Sequence, residues 1–188
     1  MAEVALKITD YGDGAVYAEA ADKRNCSGEL VIPANVTHIA ENGFYGTGIT
    51  SLSFESGSKL TEIGEGAFYL CSSLSGALVI PDGVTHIGQY AFANCSNLTS
   101  LTLPSSLEII DGCAFSTCIS LSGALVIPDG VTFIGDRTFE GCSNLTSLTL
   151  PSSLETIGEN AFSGISSSAT INYLITNEYL QRLPVSCV

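Results

Sequence analysis

The stretch LTSLTLPSSLEIIDGCAFSTC, from Leu98 to Cys118, decides the fold of this 188-residue chain. Related stretches fill residues 27–168 as six units, which recur every 23 to 25 residues. Residues 75–121 and 122–168 are identical at 33 of 47 aligned positions, which indicates duplication of a pair of units. A unit this short can bury its apolar face only against a neighbour. The repeat therefore predicts a stack of coils, a solenoid, rather than a globule with one central core.

The first segment of each unit alternates apolar and polar residues. Leu101 and Leu103 alternate with Ser100 and Thr102, and this period of two predicts a half-buried strand. Corresponding apolar pairs occur in the other five units: Leu30/Ile32, Leu52/Phe54, Leu78/Ile80, Leu125/Ile127 and Leu148/Leu150. In five units a proline ends this segment, because proline has no N–H to donate to a neighbouring strand.

The second segment of each unit carries a short apolar pair and then a turn that contains a phenylalanine. The pairs are Val36/Ile39, Leu60/Ile63, Val84/Ile87, Leu107/Ile110, Val131/Ile134 and Leu154/Ile157. The Ala-Phe piece predicts about one helical or 3₁₀ turn, which is too short to be stable without packing. We expect its phenylalanines to stack in one buried ladder, because each ring buries roughly 150–250 Å². The ladder consists of Phe44, Phe68, Phe92, Phe115, Phe139 and Phe162.

Four of the seven cysteines occupy one position of the repeat. They lie three residues after the phenylalanine of each interior unit: Cys71, Cys95, Cys118 and Cys142. Stacked coils place equivalent atoms ~4.8 Å apart with parallel Cα–Cβ bonds, whereas a disulfide needs Cβ atoms roughly 3.5–4.5 Å apart and converging. The spacing therefore predicts a ladder of free, packed thiols. Cys26, Cys113 and Cys187 lie outside this ladder.

The two ends of the chain predict covers for the solenoid, whose open ends need them. Residues 1–26 contain two weakly alternating runs around Tyr11-Gly12-Asp13-Gly14, and Asp-Gly between apolar runs predicts a β-hairpin. Residues 169–188 predict a C-terminal cap, with a closing strand at 169–175 and a short helix at 177–183. Caps and repeats form a single domain over residues 1–188.

The pattern Leu-x-x-Leu-x-Leu-Pro, followed by Ile-Gly-x-x-Ala-Phe-x-x-Cys, resembles the BspA-like class of leucine-rich repeats over residues 27–168. The first unit departs from it at Ala40 and Gly43, where glycine and alanine are usual, and the last unit lacks the cysteine. The resemblance implies a curved, right-handed leucine-rich-repeat solenoid of the α/β class, dominated by β-structure, with a parallel sheet on the concave side. Proteins of that class are mostly surface or secreted binding and adhesion modules, in bacteria and some single-celled eukaryotes. It thus implies an extracellular or cell-surface location.

The composition argues against several kinds of partner. The formal net charge is −13, and the stretch from Leu60 to Asp136 contains no lysine or arginine. Nucleic-acid binding relies on clustered basic side chains, so we expect no nucleic-acid partner. No run of about 18 apolar residues is present, so we expect no membrane insertion. The opening residues lack the apolar core of a signal peptide.

We find no catalytic, cofactor-binding or metal-binding motif in the sequence. His38 and His86 share one repeat position two units apart, with Glu62 between them. Their backbones are expected ~10 Å apart on an exposed ridge. A zinc site needs both ring nitrogens ~2.1 Å from one ion, and no further ligand is evident. We therefore predict solvated surface histidines, no metal, no cofactor and, without a convergent nucleophile and base, no enzymatic activity.

Acceptor sequons of the form Asn-x-Ser/Thr occur at Asn25, Asn35, Asn94, Asn97 and Asn144. Several of them fall inside the repeated Cys-Ser-Asn-Leu-Thr turn. Two interpretations stay open: glycan acceptors, if the source is a secreting eukaryote, or turn residues multiplied by the repeat.

The duplicated halves differ along the second strand, for example at His86/Phe133 and Ile109/Thr156. These positions belong to a line that we call the second-strand stripe: His38, Glu62, His86, Ile109, Phe133 and Thr156. The stripe mixes charged and apolar side chains, as the core and rim of an interface do. Drift on an unconstrained exterior is the alternative, since single exposed apolar residues are normal. Our hypothesis is that a partner contacts this stripe or the concave sheet.

Together these features predict a non-enzymatic module for protein–protein interaction or cell-surface adhesion, with a protein partner and a monomeric state. A structural subunit or spacer within a larger assembly is the alternative. A carbohydrate-binding module is a third hypothesis, and it would need exposed aromatic platforms. The chain has no tryptophan, and most of its phenylalanines belong to the core.

Overall fold

A computed structural model describes residues 4–174, which wind into a β-solenoid of about seven turns. Each coil contributes one longer strand and one strand of two residues. The strands are β1 (Leu6–Asp10), β2 (Val16–Ala20), β3 (Ser27–Ile32), β4 (His38–Ile39), β5 (Gly48–Phe54), β6 (Glu62–Ile63), β7 (Ser75–Val79), β8 (His86–Ile87), β9 (Asn97–Thr102), β10 (Ile109–Ile110), β11 (Ser122–Val126), β12 (Phe133–Ile134), β13 (Asn144–Leu150), β14 (Thr156–Ile157) and β15 (Thr170–Tyr173). Within residues 4–174 the one helix is a 3₁₀ turn, Lys23–Asn25, so no helix there could cross a membrane.

The two-residue strands form the longest sheet, in the order β1-β2-β4-β6-β8-β10-β12-β14. Its parallel strands pair without register shifts, so that Ile63, Ile87 and Ile110 lie side by side on consecutive coils. Strands β1 and β2 form the predicted hairpin, and β2 also pairs in parallel with β4. The N-terminal cap therefore supplies the first rung of the stack.

The longer strands form the expected parallel sheet, but it is interrupted twice. The pairing groups are β3-β5, β7-β9 and β11-β13-β15. In each group the second strand carries one extra residue, a β-bulge, at Thr50, Thr99 or Thr146. Across the two gaps, the hydroxyl of Ser75 donates to the Thr50 carbonyl and that of Ser122 donates to the Thr99 carbonyl, each at 3.2 Å. A bulge bends and twists its strand, and the sheet is interrupted after each of the first two bulges.

The Ala-Phe pieces form hydrogen-bonded turns rather than the expected helical or 3₁₀ turns. In coil 2 the N–H of Tyr69 donates to the Gly66 carbonyl of the same turn at 2.9 Å, whereas the N–H of Phe68 donates to the Ala91 carbonyl of the next coil at 2.7 Å. Alternate N–H groups thus join neighbouring coils instead of continuing a helix. Two left-handed residues four positions apart, such as Gly66 (φ 58°) and Leu70 (φ 61°), occur in each turn and prevent a right-handed helix.

The phenylalanine ladder forms as predicted and lies at the centre of the core. All six rings are 0% exposed, and neighbouring ring centroids lie 5.0–5.5 Å apart at interplanar angles of 2–10°. The four ladder cysteines are buried and free, as expected. Each thiol donates a hydrogen bond to the phenylalanine carbonyl of the preceding coil, with sulfur–oxygen distances of 3.0–3.3 Å. Cys187 and the helix predicted at 177–183 lie outside the described residues.

Candidate functional site

The second-strand stripe is a line of side chains, one on each rung of the longest sheet. Its six predicted members follow one another in register: His38, Glu62, His86, Ile109, Phe133 and Thr156. The first four are half-buried, Thr156 is exposed, and Phe133 is 37% exposed. The structure thus brings all six residues together, because each follows the same turn in its own coil.

Tyr17 extends the stripe by one rung at its N-terminal end. It pairs with His38 in the sheet, and the two rings stack with centroids 4.7 Å apart and an interplanar angle of 18°. The ring of Tyr11 meets that of Tyr17 edge-on, with centroids 5.4 Å apart. This extension was not predicted from the sequence, although Tyr17 directly precedes the buried Ala18 in the alternating run of the hairpin.

The two histidines each approach a carboxylate on the following coil. His86 Nε2 lies 2.7 Å from Asp111 Oδ2, and His38 Nε2 lies 3.7 Å from Glu62 Oε2. His38 also has its Nδ1 2.7 Å from the hydroxyl oxygen of Thr37. Within residues 4–174, no three His, Cys, Asp or Glu side chains are placed to hold one metal ion. His86 therefore links its coil to the next, whereas the hydrogen-bond contact of His38 is with Thr37 of its own coil.

A row of three tyrosines crosses the neighbouring surface of coils 1 to 3. Ring centroids lie 5.4 Å apart between Tyr45 and Tyr69, and 5.8 Å apart between Tyr69 and Tyr90. Tyr45 is 42% exposed and Tyr90 is 38% exposed. Cys113, on the next coil, is the largest cause of a raised pKa of the Tyr90 phenol. This tyrosine row was not predicted, because Tyr90 occupies a different repeat position from the other two.

An open hollow of about 530 Å³ lies between the tyrosine row and the second-strand stripe. We call it the acidic hollow; among its lining residues are Tyr90, Asp111, Phe133, Asp136, Arg137 and Glu159. Asp111 takes the place that glycine holds in the neighbouring coils, for example Gly88, where a Cβ would lie 2.8 Å from the Glu65 nitrogen. The hollow therefore lies beside coil 4, the interior coil in which the side chain of Asp111 replaces that glycine.

The outward face of the longer strands carries isolated apolar residues. Val79 and Val126, 57% and 59% exposed, occupy the same position in coils 3 and 5, whereas Thr102 holds it in coil 4. A second hollow of about 550 Å³ opens where β5 and β7 fail to pair, with Phe54 and Val79 among its lining residues. This face therefore has a gap in its strand pairing, and the residue at this outward position changes from valine to threonine and back between coils 3, 4 and 5.

Two of the sequon asparagines connect coils. The side-chain amide of Asn97 donates to the Ser72 carbonyl at 2.6 Å, and that of Asn144 donates to the Ile119 carbonyl at 2.8 Å. These hydrogen bonds join each strand start to the preceding turn. They give both asparagines a structural role of the kind that Asn has in turns.

The buried thiols are poor nucleophiles in this environment. Burial raises the pKa of Cys142 to about 12 and holds the pKa values of Cys95 and Cys118 well above the usual range. Since the thiolate is the reactive form of cysteine, these side chains are inert at neutral pH.

The sequence matches a family model described as "BspA type Leucine rich repeat region (6 copies)" over residues 23–122 and 61–183. Among solved structures it is similar to a leucine-rich repeat protein of T. pallidum, with 26% identity, a TM-score of 0.77, and coverage of 91% of this chain and 80% of that one. It is also similar to a leucine rich cell surface protein from Faecalibacterium prausnitzii, with 26% identity, a TM-score of 0.69, and coverage of 94% of this chain and 55% of that one. None of the curated proteins matches the sequence. Since the family model spans most of the chain, this protein belongs to the BspA-type leucine-rich repeat family.

Proposed function

We propose that this protein, a repeat module of the protein-interaction or surface type by its family, is a non-enzymatic adhesion module that binds a protein partner through the second-strand stripe. The observation that carries the proposal is the unbroken register of the stripe. From Tyr17 to Thr156, seven side chains lie on consecutive rungs. They include aromatic, charged and aliphatic groups, the mixture found across interface cores and rims.

A cell-surface location is part of this proposal. It is supported by the description of the Faecalibacterium prausnitzii relative as a leucine rich cell surface protein. The family and fold are typically those of non-enzymatic repeat scaffolds. We propose a monomer that acts alone rather than a spacer in a fixed assembly, since the contact surface lies along the side of the coils and needs no second copy to complete it.

The proposal is tested by capture of proteins from the native source on the immobilised chain, followed by mass spectrometry. The stripe variant is Phe133→Asp with Ile109→Asn, which alters two adjacent rungs. The matched control is Val126→Asp with Thr149→Asn, which makes the same kind of change on adjacent rungs of the longer strands. Thermal unfolding of both variants checks that they are folded.

We expect the stripe variant to lose a partner that the wild type and the control retain. A partner that both variants retain would contradict binding through the stripe. Loss in the control alone would place binding on the longer strands. Capture of a partner in fixed stoichiometry that survives purification would favour the alternative of a structural subunit.

A further inference from the structure

The acidic hollow has aromatic walls on two sides. Tyr90, from the tyrosine row, and Phe133, from the second-strand stripe, both line it and are 38% and 37% exposed. Its volume of about 530 Å³ is open to solvent, so it is a surface depression rather than an enclosed ligand pocket. The hollow is therefore the point where the two exposed aromatic features of the surface meet.

The side chains that line the hollow carry more negative than positive charge. Its lining includes the carboxylates of Asp111, Asp136 and Glu159 and one guanidinium, Arg137, which gives a net charge of −2 with these four groups ionised. Of the three carboxylates, Asp111 contacts His86 at 2.7 Å. Within residues 4–174, none of the ion pairs involves Asp136, Arg137 or Glu159.

The surroundings of the hollow are also acidic, because no lysine or arginine occurs from Leu60 to Asp136. A cationic segment that approaches this side of the solenoid meets one like charge in the hollow itself, Arg137, beside three carboxylates. Opposite charge speeds association and selects partners. The side chain that suits both aromatic walls and carboxylates is arginine, whose planar guanidinium stacks on aromatic rings and forms paired hydrogen bonds with carboxylates.

We propose that the acidic hollow receives an arginine side chain from a basic, extended segment of the protein partner, with the guanidinium against Tyr90 and hydrogen-bonded to Asp136 and Glu159. This inference rests on the proposed binding function and gives that partner a chemistry. The second-strand stripe then contacts the segment on one side of the hollow, and the tyrosine row contacts it on the other.

The probe for this proposal is a short fluorescein-labelled peptide of alternating arginine and serine, compared with peptides that carry lysine or glutamate in place of arginine. Binding to the full chain is followed by fluorescence anisotropy at several salt concentrations. The hollow variant is Asp136→Asn with Glu159→Gln. In the wild type, Asp136 Oδ1 accepts the backbone N–H of Glu159 at 2.7 Å. The amide introduced by Asp136→Asn keeps an oxygen that can accept this hydrogen bond, so the fold is preserved.

The matched control is Asp82→Asn with Asp129→Asn, which also removes two negative charges, but from exposed turns away from the hollow. We expect the arginine peptide to bind the wild type and the control within about twofold of each other. We expect at least about tenfold weaker binding to the hollow variant and to Tyr90→Ala. Binding to the wild type falls as salt rises, because exposed charges are screened.

Equal losses in the hollow variant and the control would show general attraction to an acidic chain and would overturn the proposal. Failure of the arginine peptide to bind, or equal binding of the lysine peptide, would also contradict it. Of the residues that line the hollow, Phe133 belongs to the stripe, whereas Asp136 and Glu159, which the hollow variant changes, do not. A partner lost by the stripe variant but retained by the hollow variant would therefore leave the proposed function intact and remove only the arginine site.

Discussion

The thiol of Cys118 donates a hydrogen bond to the backbone carbonyl of Phe92, one coil earlier, with a sulfur–oxygen distance of 3.2 Å. The same contact recurs in each interior coil, so that the cysteine and phenylalanine ladders are joined rung by rung. In the first coil Thr47 occupies the cysteine position, and its hydroxyl donates to the Phe44 carbonyl at 2.9 Å. The Phe44 carbonyl thus accepts from Thr47 of its own coil and from Cys71 of the next, whereas Ile165 holds the cysteine position in the last coil and has no side-chain donor to offer.

The buried thiols predict a loss of stability at alkaline pH. Burial raises the pKa of the Cys142 thiol in the folded state from its ordinary value of 9.0 to about 12. Because the raised pKa favours the neutral form in the folded state, the stabilisation is complete below pH 9 and is lost between pH 9 and 12. For this thiol the free energy of unfolding should fall by about 1.4 kcal/mol per pH unit in that window. Urea unfolding of the wild type and Cys142→Ala across this range measures the difference. Equal pH slopes would contradict the buried neutral thiol.

Thiol accessibility follows from the same ladder. Among the described cysteines only Cys113 is half-exposed, and the other five are buried. We expect the Cys187→Ser variant to show one thiol that reacts rapidly with an aromatic disulfide reagent in the native state. Six should react after unfolding without reductant. Fewer than six in the unfolded chain would reveal a disulfide and contradict the free-thiol ladder.

Thr117 and Gly141 occupy the same left-handed position in adjacent coils, with φ values of 60° and 75°. Their N–H groups each donate to the next coil at 2.7 Å. A β-branched residue is strained there, whereas glycine is not. We expect Thr117→Gly to stabilise the protein by about 0.5–1 kcal/mol, after allowance for the greater freedom of unfolded glycine.

The reciprocal change, Gly141→Thr, should destabilise the protein by about 1–2 kcal/mol. Urea denaturation of both single variants measures these values. Destabilisation by Thr117→Gly would mean that the threonine side chain makes a contact that outweighs its backbone strain.

The phenylalanine ladder predicts a large cost for a central truncation. Phe92 stacks on Phe68 and Phe115, with centroid distances of 5.0 and 5.3 Å. Phe92→Ala should reduce the free energy of unfolding by about 3–5 kcal/mol through the cavity that it leaves. Replacement by leucine, which fills more of that space, serves as the control and should cost less. A loss below about 1 kcal/mol in Phe92→Ala would contradict a packed ladder.

The features that the sequence predicts correctly are those that occupy one equivalent position in successive coils. The phenylalanine ladder, the free cysteines and the in-register stripe follow because stacking places equivalent residues side by side. The N-terminal hairpin is indicated by Asp13-Gly14. Its pairing with β4 is not, since that contact joins two segments that share no repeat position.

The features that were missed depend on differences between coils or on backbone detail. The interruptions of the longer sheet lie after the bulged strands β5 and β9, whereas β13 has the same bulge and still pairs with β15. The bulge alone therefore does not explain the gaps, and the apolar pattern does not predict them. The turn around Phe68 is not helical because tertiary hydrogen bonds compete for its N–H groups. The sequence signals of the acidic hollow are the differences Gln89/Asp136 and Tyr90/Arg137 between the duplicated halves, and Asp111 where the neighbouring coils have glycine. The sequence alone does not show that these residues line one hollow.

Nuclear Overhauser contacts between selectively labelled isoleucine methyl groups test the stacked, parallel register most directly. Pairing places Ile63 beside Ile87, Ile87 beside Ile110, and Ile110 beside Ile134. We expect strong cross-peaks between these neighbours and none between Ile63 and Ile134, three rungs apart at ~4.8 Å per rung. A strong cross-peak between Ile63 and Ile134, or the absence of those between neighbours, would show a different packing and contradict the solenoid.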